Sequence, residues 1–227
     1  MKTNAIKFIA AFFVAALPLG FTSCGDDEEE IVEIIVYDDN EPICPDSNHP
    51  HAIDMDEAGV WACCNVGASN PLQYGSYVAW GEIEDKSYYS FSTYKYKNGT
   101  QYSNIGSDIG GKTDYDVSTA RWGSSWLIPS NEQMKKLIKC KSTWKKINGV
   151  YGILFEASNK NKIFLPATGF RHDASLSYAG DYAEYWSSSL VESMPSYAYV
   201  MHLYSVGMYV GDYDYRYNGR PVRPVLR

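Results

Sequence analysis

The chain has 227 residues, a formal charge of −7 and an isoelectric point near 5.1. That balance argues against nucleic acid or an anionic membrane surface as a partner, because both are held by exposed cationic patches. With a short N-terminal segment set aside, about one domain's length of chain remains, enough to bury a sizeable core.

Lys2 and Lys7 are the only charges ahead of an apolar run from Phe8 to Leu19. The run is too short to span a bilayer as a helix and suits the apolar region of a secretory signal. Gly20-Phe21-Thr22-Ser23-Cys24 follows and resembles a bacterial lipobox, whose cysteine becomes the lipidated first residue; Phe21 stands where leucine is commonest. A signal cleaved nearby without lipidation, or a short anchor, are the other readings. Residues 1–23 are therefore expected to be a lipoprotein signal peptide, with lipidation at Cys24, and residues 24–43 an acidic tether. Asp26, Asp27, Glu28, Glu29 and Glu30 form a block that cannot pack and stays solvated. It resembles the acidic signal that sends Bacteroidetes-type lipoproteins to the outer face of the outer membrane. Losing Lys2 and Lys7 with the signal takes the formal charge from −7 to −9, so membrane attachment is expected through lipid alone.

Residues 44–227 read as one domain without a 20–50-residue repeat. Its cysteines are Cys44, Cys63, Cys64 and Cys140, an even set that outside the cytoplasm permits two disulfides. Neighbouring Cys63 and Cys64 favour separate bridges to Cys44 and Cys140, with free thiols as the alternative. Cys-x-x-Cys spacing is missing, so neither a metal nor a cofactor is expected. Pro42 to Pro50 is a loop. Strands are expected near Val60–Gly67 and Tyr77–Glu82, and a long irregular loop between Asp85 and Gly111, with Asn98-Gly99 as a turn. A short helix is expected around Asp116–Ala120. A clearer one opens at Ser130, whose pairing with Gln133 makes a capping box, with Met134, Leu137 and Ile138 on one face. Lys135, Lys136, Lys139 and Lys141 fall on its exposed side and last turn, where cations suit the helix dipole. Asn148-Gly149 is a hairpin dipeptide, followed by strands at Gly152–Phe155 and Lys162–Ala167. The class expected is α+β, mostly short antiparallel strands with one or two helices and long loops.

Six motifs occur in order: Trp61-Ala62-Cys63-Cys64-Asn65-Val66-Gly67-Ala68, Tyr77-Val78-Ala79-Trp80-Gly81-Glu82, Ala120-Arg121-Trp122 through Pro129-Ser130, Phe164-Leu165-Pro166-Ala167 through Arg171, Tyr185-Trp186-Ser187-Ser188-Ser189-Leu190, and Val222-Arg223-Pro224-Val225. Together they resemble the Fibrobacter succinogenes major paralogous domain, a family of bacterial surface and secreted lipoproteins, over residues 50–226. The resemblance implies a C-type-lectin-like fold in the variant shared with formylglycine-generating enzymes. Those enzymes use a late cysteine pair for copper and oxygen, whereas no cysteine follows Cys140 here. The chain also lacks His-Glu-x-x-His, Gly-x-Ser-x-Gly and a phosphate-cradling glycine loop, and it carries none of the triplets of calcium-dependent sugar binding. A non-catalytic protein is therefore expected.

Ten of the chain's 20 tyrosines lie between Tyr178 and Tyr217. Tyrosine offers a large rigid face and a polar tip at low entropic cost, which suits adaptable binding surfaces. From Tyr197 to Tyr204, strand alternation places Tyr199, Met201 and Leu203 on a core face and Val200, His202 and Tyr204 on the other. Trp186, Ser187, Ser188, Val222 and Val225 read as frame. Asp212 and Asp214 are expected on one solvated edge. The lectin-like resemblance implies a final display hairpin, with His202, Tyr204, Tyr209, Tyr213, Asp214, Tyr215, Arg216, Tyr217 and Arg220 as ligand-binding candidates. The expected function is surface binding or adhesion towards an unknown protein or glycan. A structural subunit of an envelope assembly and a divergent enzyme are the alternatives.

Overall fold

A computed structural model describes residues 51–227; Cys24, Cys44 and the expected signal and tether lie outside them. In chain order the elements are β1 (Ala52–Asp54), β2 (Val60–Ala62), β3 (Lys97–Asn98), β4 (Gln101–Tyr102), α1 (Val117–Trp122), β5 (Trp126–Leu127), α2 (Asn131–Leu137), β6 (Lys141–Ile147), β7 (Val150–Glu156), β8 (Lys162–Pro166), β9 (Phe170–His172), β10 (Ser175–Ser177), β11 (Tyr182–Leu190), β12 (Tyr197–Tyr204), β13 (Gly207–Tyr215) and β14 (Val225–Leu226). These strands pair antiparallel in small sheets beside two short helices, an α+β class. No helix among the described residues is long and apolar enough to cross a membrane.

Local signals account for the element ends. Ser130 Oγ accepts the Gln133 N–H at 3.2 Å while the Gln133 side chain accepts the Ser130 N–H at 2.9 Å, closing the capping box of α2. Asp116 caps α1 and is fully buried; it accepts N–H bonds from Gly111, Ser118, Thr119 and Ile128. Burial pushes its carboxyl pKa up, and those four bonds pull the other way. Asn148 and Gly149 both take positive φ, 46° and 88°, and turn β6 into β7. Asn98 and Gly99 likewise sit at the turn between β3 and β4. Of the strand expected at Tyr77–Glu82, only an isolated bridge forms, Val78 to Arg220.

The C-terminus closes the domain on its beginning. In the first sheet β14 lies between β2 and β5, with Val225 opposite both Trp61 and Leu127. Further bonds lace the two segments together, from Ala62 N–H to Pro224 O, Val66 N–H to Val222 O, and between Val78 and Arg220 in both directions. Two tryptophans then strap across: Trp80 Nε1 donates to Ser187 O at 2.9 Å and Trp186 Nε1 to Val78 O at 2.8 Å. These indoles are buried with their only polar atoms satisfied.

The three-stranded sheet β11-β12-β13 lies between two cores that cover opposite faces over opposite halves. Towards the end of β12, Met201 and Leu203 pack with Ala183, Tyr185, Met134 and Leu137 in one cluster. Towards its start, Ala198 and Val200 pack on the other face with Trp186, Trp80 and Val222 in a second. Met201 and Leu203 thus occupy the core as alternation predicts, whereas Tyr199, expected with them, is only half-buried because α2 does not extend over its end of the strand.

The cysteine pairing expected from the even count does not form among the described residues. Cys64 and Cys140 are free thiols. Cys63 and Cys64 sit together in the core, where the hydrogen bond to Cys63 and then burial raise the Cys64 pKa far above the ordinary thiol range. Cys63 Sγ also accepts the His51 N–H at 3.3 Å. Cys140 follows α2, half-buried and packed at the edge of the same cluster.

Candidate functional site

The candidate residues of the final hairpin divide into a buried frame and an exposed surface. Paired strand residues share a face. On β12 and β13, His202 opposes Tyr209, Val200 opposes Asp212 and Ala198 opposes Asp214; on the reverse face Tyr199 opposes Tyr213 and Tyr197 opposes Tyr215. Between the two pairings β13 carries one extra residue, Gly211, at φ 103°, a bulge that only glycine accepts without strain. Strand β11 bulges too, since four positions from Trp186 to Leu190 oppose two on β12. Ser187 and Ser188 fill that bulge and are buried.

Arg220 anchors the first face. It is fully buried and donates to both Glu184 and Asp214, while its guanidinium lies 4.7 Å from the Trp186 ring and 5.2 Å from Phe170. The network extends outwards. Asn218 Nδ2 donates to Asp214 at 3.0 Å and Asn218 Oδ1 lies 2.8 Å from His172 Nδ1. On the other side His202 sits 3.6 Å from Glu184, 3.5 Å from Asp212 and 2.8 Å from the Tyr204 hydroxyl. Among the described residues no three metal-ligating side chains converge as an ion would require.

Arg216 is a second pin. It is 1% exposed, donates to the Tyr94 hydroxyl at 2.9 Å and to Ser103 O and Pro195 O, and lies over Trp80, Tyr94 and Tyr102. Arg223 is a third, holding Asn65 Oδ1 and the carbonyls of Ala62, Cys63 and Phe164. Arg216 and Arg220, expected on the display surface, are therefore structural, since neither reaches solvent. Their partners lie as far as 122 residues away in sequence, and the display hairpin implied by the lectin-like resemblance placed both arginines outwards. Asp214 is a partner of Arg220 with 27% side-chain exposure, whereas Asp212, on the same face, is 57% exposed. His202 is nearly buried, and Tyr204 and Tyr217 are half-buried.

Tyr209, Tyr213 and Tyr215 remain as the exposed candidates, at 63%, 42% and 39%. Their rings are held in rows. Tyr197 lies 5.2 Å from Tyr213 and 4.5 Å from Tyr215, and Tyr215 stacks on Tyr217 at 5.1 Å. A hydrogen bond with Tyr215 is the main cause pushing the Tyr197 pKa up to about 12. On the opposite face, Tyr178, Tyr182, Tyr204 and Tyr209 continue ring to ring at 4.9, 5.3 and 6.2 Å. Comparison with protein-family models, with curated proteins and with solved structures gives no match. The geometry of the hairpin itself therefore carries the functional reading.

Proposed function

We propose that this chain is a non-catalytic binding or adhesion module, held on the outer face of the outer membrane by a lipid on Cys24. Its final hairpin presents tyrosines to a protein or glycan ligand. One observation carries the reading. Six of the eight large apolar side chains exposed among the described residues, Leu176, Tyr178, Val206, Tyr209, Tyr213 and Tyr215, come from the last quarter of the chain, Tyr88 and Tyr151 being the other two. Tyr209, Tyr213 and Tyr215 stand on β13, which Arg220 ties to β11 by donating to both Glu184 and Asp214, while Arg216 pins the chain just after β13 to Tyr94. Rigid aromatic groups on a pre-ordered scaffold lose little entropy on binding, the condition for an efficient contact surface.

The family resemblance and the C-type-lectin-like fold belong to the same proposal. Its motif residues Trp61, Trp80, Trp186 and Arg223 are core groups, in keeping with motifs retained for framing rather than chemistry. The decisive experiment compares adhesion of cells carrying the chain with cells carrying Tyr209→Ala/Tyr213→Ala/Tyr215→Ala at equal surface level. Adhesion should fall at least tenfold; adhesion unchanged with the fold intact would refute the reading. Separately, Cys24→Ser should move the protein out of the membrane fraction, and its retention there would refute lipid anchoring.

A further inference from the structure

We infer that the tyrosine surface takes a cationic segment of a partner protein, with one arginine or lysine side chain seated beside Tyr199. The inference rests on the hairpin being a binding surface and specifies the chemistry of what it binds.

Charge is segregated along the chain. Twelve of its lysines lie between Lys86 and Lys162 and none follows Lys162, whereas Asp173, Asp181, Glu184, Glu192, Asp212 and Asp214 all do. Of the five arginines of that stretch, Arg216, Arg220 and Arg223 are buried and Arg171 is half-buried over the Tyr77 ring at 5.1 Å, so Arg227 is the one exposed arginine set against these carboxylates. Lys135 and Lys136 belong to α2, which packs on the Met201–Leu203 half of the sheet, and among the described residues no lysine lies over the rings of Tyr197, Tyr199, Tyr213 or Tyr215.

Beside this surface lies a cleft of about 540 Å³, bounded by Tyr199, Asp108, Glu192 and serine hydroxyls and containing no basic residue. Asp108 and Glu192 are both exposed, and neither has a cationic partner among the described residues. Tyr199 is the cross-strand neighbour of Tyr213, so cleft and tyrosine cluster are one continuous surface.

A neutral saccharide covering this cleft would remove two carboxylates from water without neutralising either, which is costly. A guanidinium or ammonium group pairs with the carboxylates and gains a ring face for its cationic plane or stem. The protein's own interior shows the same arrangement, in Arg220 between two carboxylates and two aromatic rings and in Arg216 over three.

The test uses the full-length chain in detergent and a fluorescent peptide of alternating arginine and glycine, followed by anisotropy at low and high salt. Binding should weaken at least tenfold in high salt and at least tenfold in Asp108→Asn/Glu192→Gln. Tyr199→Ala should weaken it about fivefold, in line with a cation–π contact. Glu57→Gln/Glu132→Gln removes the same charge elsewhere and should leave affinity unchanged; an equal loss there would reduce the effect to net charge and overturn the inference. Undiminished binding to Asp108→Asn/Glu192→Gln, or binding of a neutral oligosaccharide in place of the peptide, would also overturn it. Self-association abolished by the same double variant would overturn it as well, by assigning the cleft to a second copy of this chain. In each of these cases the loss of adhesion in the tyrosine variant would still stand, so failure of the cationic assignment is separable from failure of the binding function.

Discussion

Replacing Arg220 by methionine isolates what holds the hairpin. The side chain stays unbranched and apolar, though shorter, and loses both the guanidinium over Trp186 and Phe170 and the charge that faces Glu184 and Asp214. Glu184, with 8% side-chain exposure, is left with the His202 ring at 3.6 Å as its remaining polar neighbour. Asp214 keeps Asn218 and partial access to water. Breaking a buried pair from one side costs about 3–5 kcal/mol, because an uncompensated charge stays behind. Against a domain stability of about 5–15 kcal/mol that is a large share, equivalent to a drop of roughly 10 °C in melting temperature. The second variant, Arg220→Met/Glu184→Met, removes the stranded charge as well and should recover to within about 1–2 kcal/mol of the parent, since apolar replacement of a buried pair is often neutral. Urea unfolding read by tryptophan fluorescence measures both, urea being preferred to guanidinium because it leaves charge interactions unscreened. A single variant costing under about 1 kcal/mol, or a double variant no better than the single, would refute the reasoning.

Gly219→Ala would place its Cβ 2.6 to 2.8 Å from three atoms of the Tyr89 ring, which is buried and bonded through its hydroxyl to Tyr77 O. It should cost about 1–3 kcal/mol by overpacking. Gly211→Ala meets nothing within 4 Å but keeps φ near 103°, so its cost is backbone strain alone, about 1 kcal/mol; thermal melts giving the reverse order would contradict this. Burial pushes the phenols of Tyr77, Tyr94 and Tyr185 up, Tyr185 to about 12, while in the unfolded chain they ionise from about pH 10. Folded pKa values raised in this way leave stability complete below about pH 10 and lost as pH rises towards the folded values, by about 1.4 kcal/mol per pH unit for each phenol. Phenolate absorbance from these residues should appear together with loss of tertiary circular dichroism, and its appearance at pH 10 with the fold intact would rule the burial out as cause. Tyr213→Ala and Tyr215→Ala each remove a half-exposed ring and should change unfolding free energy by less than about 1 kcal/mol, so that any loss of adhesion is a surface effect.

Sequence patterns revealed what is set by near neighbours. The Ser130–Gln133 box, the Asn148-Gly149 turn and the alternation that buries Met201 and Leu203 each depend on residues a few positions apart. Trp186, Val222 and Val225 were legible as frame for a related reason, being apolar groups beside serine and proline punctuation. The arginines were not. A charged residue on an alternating, tyrosine-rich strand has every local mark of a solvent-facing position, and the rule that charges stay outside unless paired cannot be applied until the pairs are known. Glu184 is 36 positions from Arg220 and Tyr94 is 122 from Arg216.

The burial of β12 shows why the hairpin is both frame and surface. A strand covered along one whole face alternates cleanly, but β12 is covered on one face at Ala198 and Val200 and on the other at Met201 and Leu203. Four of its central residues are therefore buried in succession from Val200 to Leu203, and the half of each face left uncovered falls at diagonally opposite corners. One open corner carries Tyr204 and Tyr209, with His202 buried beside Glu184 and the Tyr204 hydroxyl at the edge of the Arg220 network; the other carries Tyr197, Tyr199, Tyr213 and Tyr215 beside the acidic cleft. Tyrosine satisfies both demands at once, packing its ring against the covered half while its hydroxyl stays wet. The concentration of tyrosine in this stretch thus follows from a sheet that is half-covered on each side, and ligand contact is expected at the corner where the rings meet unpaired carboxylates.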